Sequence, residues 1–176
     1  MAWIMKNSGG MEVERRDEPY LDDALKAELE RDVMPRYPED HRRAAALPVL
    51  HAIQEKHGYL PMQAIEEAAD FLTVSPAELL DTVSFYEEFW TQPHGKYVIW
   101  VCQSLSCEIL GSNNLTDRIA DKLGIEPGET TPDGKFTLMH VECLGSCGTA
   151  PCALVNEKLH ENITAENFER VLDSLE

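Results

Sequence analysis

Two cysteine pairs constrain this chain more than any other feature. Cys102 and Cys107 stand as C-x4-C in V-C-Q-S-L-S-C, and Cys143 and Cys147 as C-x3-C in V-E-C-L-G-S-C-G-T-A-P. Each pair follows a short apolar run, 97–101 in the first case and 136–141 in the second. Such runs are expected as buried strands. A loop just past a strand end is anchored by the sheet yet exposed enough to present ligands. If the four thiols serve one centre, the fold has to bring two strand ends together. Gly145 and Gly148, interleaved with the second pair, are expected to let the backbone turn and approach a bound group closely.

Four thiolates suit a structural zinc ion or an iron–sulfur cluster. Zinc knuckles favour C-x2-C, and neither pair has that spacing. The wider loops favour a [2Fe–2S] cluster, a larger object than one ion, and backbone N–H groups of Gly145, Ser146, Gly148 and Thr149 stand where they can tune it. Zinc, a disulfide and bare thiols stay open on spacing alone. A thioredoxin-type redox dithiol needs C-x-x-C, which is absent. The fifth cysteine, Cys152, follows Pro151 and opens an apolar run. It is expected to be carried away from the ligand turn and to behave as a small buried apolar residue.

The rest of the chain falls into parts. Residues 1–16 read as a loose tail, and 17–92 as a four-helix unit. Its first helix is expected to open near Pro19 with Asp17 or Glu18 at the cap, and to carry Leu21, Leu25, Leu29 and Val33 on one stripe. The second runs from about Asp40 to His57, with a kink or a late start at Pro48 and a stop at Gly58. The third starts at Pro61. The fourth opens on the capping box Ser75-Pro76-Ala77-Glu78. Phe85, Tyr86, Phe89 and Trp90 form an aromatic cluster, read mainly as packing and secondarily as a partner surface. Residues 92–95 are a linker, and 96–176 follow the order β-α-β-β-β-α. The fold class is therefore α+β: an N-terminal four-helix unit followed by a thioredoxin-like α/β domain.

The formal charge of −17 is spread over both halves, with no basic stripe. Nucleic-acid binding draws its affinity largely from phosphate neutralisation, so no nucleic-acid partner is expected, although 62–83 has a helix-turn-helix pattern. Acidity serves solubility or the docking of a basic partner. No run of about 18 apolar residues is present, so no membrane insertion is expected. Neither a secretory nor a transit pattern opens the chain. His140 and His160 are read as ordinary strand or surface histidines, since four cysteines already suffice for a centre.

From about Leu47 to Leu175 the chain resembles the small thioredoxin-like [2Fe–2S] subunit of NADH:quinone oxidoreductase, the NuoE (24-kilodalton) family of respiratory complex I. The resemblance is carried by H-A-I-Q-E-K-H-G-Y-L-P (51–61), S-F-Y-E-E-F (84–89), T-P-D-G-K-F-T-L (131–138), V-E-C-L-G-S-C-G-T-A-P (141–151) and the V-N at 155–156. It implies one [2Fe–2S] cluster per chain, ligated by Cys102, Cys107, Cys143 and Cys147. It implies an electron-transfer subunit that is not catalytic alone, with FMN and NADH on an FMN/NADH-binding flavoprotein partner (NuoF-like) and with other peripheral-arm iron–sulfur subunits nearby. It implies a cytoplasmic location, peripheral to the inner membrane as part of a complex. Equivalent subunits serve NAD-dependent formate dehydrogenases and NAD-reducing hydrogenases. A structural zinc-binding interaction module is the reading from another class. Cys152 departs from the family, which more often has an apolar residue there.

Overall fold

A computed structural model describes residues 15–175. The chain divides into two compact units, Met1–Pro93 and His94–Glu176. Of the stretch read as a loose tail, 1–14 lie outside the described residues. Arg15 and Arg16 are tied to the third helix of the first unit: Arg15 pairs with Glu66 at 2.8 Å, and the Arg16 N–H donates to Gln63 Oε1 at 2.9 Å.

The first unit is built from α1 (Asp23–Asp32), α2 (Ala46–His57), α3 (Met62–Leu72) and α4 (Pro76–Phe85), with 3-10 turns at Met34–Arg36 and Glu39–Ala45. Helix α1 starts later than Pro19 suggests, because Asp22 caps it by accepting the Leu25 N–H. The apolar stripe is as expected, with Leu21, Leu25 and Leu29 buried. Pro48 lies in the first turn of α2, where no backbone donor is required of it, so the late start replaces a kink. Gly58 closes α2 in the left-handed conformation at φ 83°, and the Ser75–Glu78 capping box is present. The buried faces Ala46-Val49-Leu50-Ile53, Ala64-Ile65-Ala68-Ala69-Leu72 and Leu79-Val83 meet in one core. Gln54 holds the segment after α4 at both ends of its amide: Nε2 donates to the Glu88 carbonyl and Oε1 accepts the Trp90 N–H, each at 2.8 Å. The aromatic cluster therefore divides. Phe89 is buried, whereas Phe85 and Tyr86 face outward.

The second unit carries a four-stranded sheet in the order β2-β1-β3-β4. Strand β1 (Tyr97–Cys102) pairs parallel with β2 (Phe136–Val141) and antiparallel with β3 (Ala153–Val155), which pairs antiparallel with β4 (Lys158–His160). Parallel pairing needs a crossover, here supplied by α5 (Leu105–Ile109) and α6 (Ser112–Leu123); α7 (Ala165–Asp173) closes the unit. Alternation along β1 sends Ile99 and Val101 to one face. There they share a core with Leu138 of β2, Ala153 and Val155 of β3, Leu115 and Ile119 of α6, and Phe168 and Leu172 of α7. Thr164 caps α7 reciprocally with Asn167. The five-residue helix α5 is the element the apolar pattern does not announce. Leu105, Ile109 and Leu110 at its outer side are 69%, 74% and 58% exposed, so no core-facing periodicity marks it.

Candidate metal centre

The parallel register pairs Cys102 with Val141. The C-terminal ends of β1 and β2 are thus level, and the loop that follows β2 starts beside Cys102. Cys107 is presented from inside α5, one helical turn beyond the strand. Strand β3 runs the other way, so its N-terminal end lies at the same edge, and the Cys102 N–H donates to the Cys152 carbonyl at 3.2 Å. The C-x4-C thiols therefore meet a third from far along the sequence. The sulfurs of Cys102, Cys107 and Cys152 all lie within 4.8 Å of one another, and those of Cys107 and Cys152 are 3.8 Å apart. All three residues are buried, and Val141, Leu144 and Ala150 pack around them.

Cys143 and Cys147 are exposed on the loop after β2. That loop leans on the buried thiols through Leu144, whose side chain packs against them and whose N–H is directed at the Cys102 sulfur. Gly145 takes the left-handed conformation at φ 74°, and its N–H donates to Cys143 Sγ at 3.4 Å. A side chain at 145 would strain that turn. Gly148 has no such requirement, and a Cβ there would meet nothing. The Thr149 N–H, expected to face a bound group, is taken up by the Ser146 carbonyl at 3.1 Å.

The loop is pinned from the far side. Glu161 accepts hydrogen bonds from the hydroxyls of Ser146 and Thr149, each at 2.5 Å, and these two donors hold its carboxyl below the ordinary range. The Asn162 N–H donates to the Thr149 carbonyl and the Ile163 N–H to the Pro151 carbonyl. Glu161 carries no sequence signal that separates it from the chain's many other surface acids.

Burial and hydrogen bonding set the thiols apart. Burial pushes the Cys102 thiol up, but the N–H groups of Ser104 and Leu144 favour its thiolate strongly enough that the net shift is downward. Burial and the neighbouring Cys102 raise Cys107. Burial, then the two neighbouring thiols, push Cys152 up to about 12. His160 is half-buried against Phe168, ring edge to ring face at 5.8 Å.

The family model described as thioredoxin-like [2Fe-2S] ferredoxin matches residues 31–176. The chain belongs to this family. It is 40% identical over 157 residues to NADH-quinone oxidoreductase subunit 2 of Thermus thermophilus, across 89% of this chain and 86% of that protein. It is 41% identical over 139 residues to an NADH-quinone oxidoreductase subunit of Rhizobium meliloti, across 79% and 82%. In structure it resembles part of an NAD+-reducing [NiFe]-hydrogenase in the air-oxidised state, at a TM-score of 0.66 and 25% identity. That match covers 79% of this chain and 24% of the hydrogenase chain, so the present chain spans about a quarter of it.

A [2Fe–2S] cluster is the cofactor of this thioredoxin-like ferredoxin, and the donor set suits it. Cys102 and Cys107 offer buried thiols, Cys143 and Cys147 stand exposed on the adjoining loop outside the close group of thiols, and N–H groups of Ser104, Leu144 and Gly145 are aimed at the sulfurs of Cys102 and Cys143. Such donors favour thiolate over thiol and are one of the means by which a protein sets a cluster's potential. Cys152 is buried as expected, and it lies against Cys102 and Cys107. Its place follows from the antiparallel direction of β3, which a strand pattern alone does not specify.

Proposed function

We propose that this chain is the small electron-transfer subunit of NADH:quinone oxidoreductase. In this reading Cys102, Cys107, Cys143 and Cys147 ligate one [2Fe–2S] cluster. The observation that carries it is that the level ends of β1 and β2 put Cys102 and the start of the loop bearing Cys143 and Cys147 at one edge of the sheet, in a chain similar over most of its length to NADH-quinone oxidoreductase subunits. The cluster supplies one-electron redox chemistry when bound. The chain's own residues do the rest. Cys102 and Cys107 hold their side of the centre away from water, and Leu144 and Gly145 direct N–H groups at sulfur. Glu161 fixes the loop that carries the second pair.

FMN and NADH belong to a flavoprotein partner in this account. The sequence has no glycine-rich phosphate loop between strand and helix. The partner meets the centre at the outer side of α5, where Leu105, Ile109 and Leu110 present apolar surface next to Cys107. No helix among the described residues is long and apolar enough to cross a membrane, and the chain is placed at the membrane periphery by the complex. An equivalent role in an NAD-reducing hydrogenase is the second reading, favoured by the structural neighbour. The higher identity and fuller coverage of the quinone-oxidoreductase subunits favour the first.

The test is iron, acid-labile sulfide and the paramagnetic signal of the reduced protein across five single alanine variants. The expected outcome is about two irons and two sulfides in the parent chain and in Cys152→Ala. Cys102→Ala, Cys107→Ala, Cys143→Ala and Cys147→Ala each lose the cluster. NADH should reduce the cluster only when a flavin-bearing subunit is present. Stoichiometric zinc without labile sulfide, or NADH oxidation by the isolated chain, overturns the reading.

A further inference from the structure

The four expected ligands do not exhaust the thiols at this edge of the sheet. The most compact group there is a different set, made of Cys102, Cys107 and Cys152, all buried. We infer that these three cysteines form a second, mononuclear site that holds one thiophilic divalent ion of the zinc type when the cluster is absent. Two thiolates bound to one tetrahedral ion at about 2.3 Å stand roughly 3.8 Å apart. Cys107 and Cys152 are already at 3.8 Å. Cys102 completes a triangle whose longest side is within 4.8 Å, so it has about an ångström to move.

The surroundings point the same way. Partly buried Val141, Leu144 and Ala150 pack around the three sulfurs, and among the described residues the close group of metal-ligating side chains is made of cysteines alone. Soft sulfur donors in an apolar shell select zinc-like and cuprous ions over magnesium or calcium. Loading is a proton exchange without electron transfer: one divalent ion enters, three S–H bonds break, three metal–sulfur bonds form and three protons leave to buffer. The fourth position of a tetrahedron is left to water. Cys102 and Cys107 are shared with the proposed cluster ligands, so the ion and the cluster exclude each other on that reading. The mononuclear site itself does not depend on it.

The experiment uses the full chain, freed of metal and reduced under anaerobic conditions, and titrated with Co(II) as the optical stand-in for zinc. The parent chain should take up one Co(II) with a thiolate-to-cobalt charge-transfer band. The double variant Cys143→Ala/Cys147→Ala should keep that band. Cys152→Val, which fills the buried position with an apolar side chain, should lose it while circular dichroism shows the fold retained; Cys152→Ala is the second variant if valine disturbs packing. The inference is overturned if the parent chain shows no band, if the double variant loses it, or if both Cys152 variants keep it at parent intensity. Sulfide is absent throughout, so failure here is separable from failure of the cluster reading, which rests on labile-sulfide analysis.

Discussion

Replacing Phe168 by alanine tests whether the position of Cys102 depends on a core built far away in sequence. Phe168 is 1% exposed and shares one core with Ile99 and Val101, the two residues that seat β1 just before its cysteine. Truncating a buried phenylalanine to alanine costs about 3–5 kcal/mol, transfer and cavity together. A domain of ordinary stability has about 5–15 kcal/mol in all, so the variant gives up a large fraction of it. Each 1.4 kcal/mol or so is tenfold in an equilibrium constant. Opening of the sheet should therefore become roughly two to three and a half powers of ten more frequent. The assay is hydrogen exchange by mass spectrometry, read on peptides covering Tyr97–Cys102 and Phe136–Val141 of the metal-free protein. Acceleration below about tenfold in a folded variant would refute the reasoning, because Phe168 would then not be supporting β1.

Two further outcomes follow from local geometry. Gly95→Ala places a Cβ 2.7 Å from the Phe136 carbonyl carbon and 2.9 Å from the Phe136 and Thr137 nitrogens, backbone atoms that cannot rotate away. It should lower the urea midpoint by the equivalent of roughly 1–3 kcal/mol, while Gly148→Ala, into open space, leaves it unchanged; equal effects would contradict the packing described. Burial, then the Lys158 charge, hold the His160 imidazole below its ordinary value, so the fold favours its neutral form. Its contribution to stability is complete above about pH 6.5 and is lost as pH falls through the lower folded value. The urea midpoint should drop with acid in this range, less steeply in His160→Gln; identical slopes would show that other groups carry the pH dependence.

Much of the architecture was legible because local signals and tertiary packing agree. The i, i+4 leucines of α1, the left-handed Gly58 and the Ser75–Glu78 box each state a helix boundary or face in a few residues. The runs ahead of Cys102 and Cys143 state buried strands in the same way. The misses share one cause. Asp22 caps α1 because the chain turns there against Glu67, whose carboxylate accepts the Leu21 N–H at 2.8 Å; that partner is remote in sequence. Helix α5 escapes notice because its apolar residues face outward. Cys152 joins the thiols because β3 runs antiparallel to β1, and strand direction is a property of the whole sheet. Glu161 clamps the loop after β2 through two hydroxyls that come together only after folding. Boundaries and periods are local, whereas convergence on one edge is not.

The parallel pairing of β1 with β2 also fixes an order in time. Cys102 and Cys107 leave the ribosome first, and the chain must then supply α6 and all of β2 before Cys143 exists, and Cys152 comes only just ahead of β3. Pairing strands that are distant in sequence is a slow step, because a long loop must close before any contact offsets its entropy. A nascent chain thus spends part of its life with a lone C-x4-C pair and no opposing cysteines. On the proposed ligand set, topology alone postpones cofactor insertion until the unit is nearly complete.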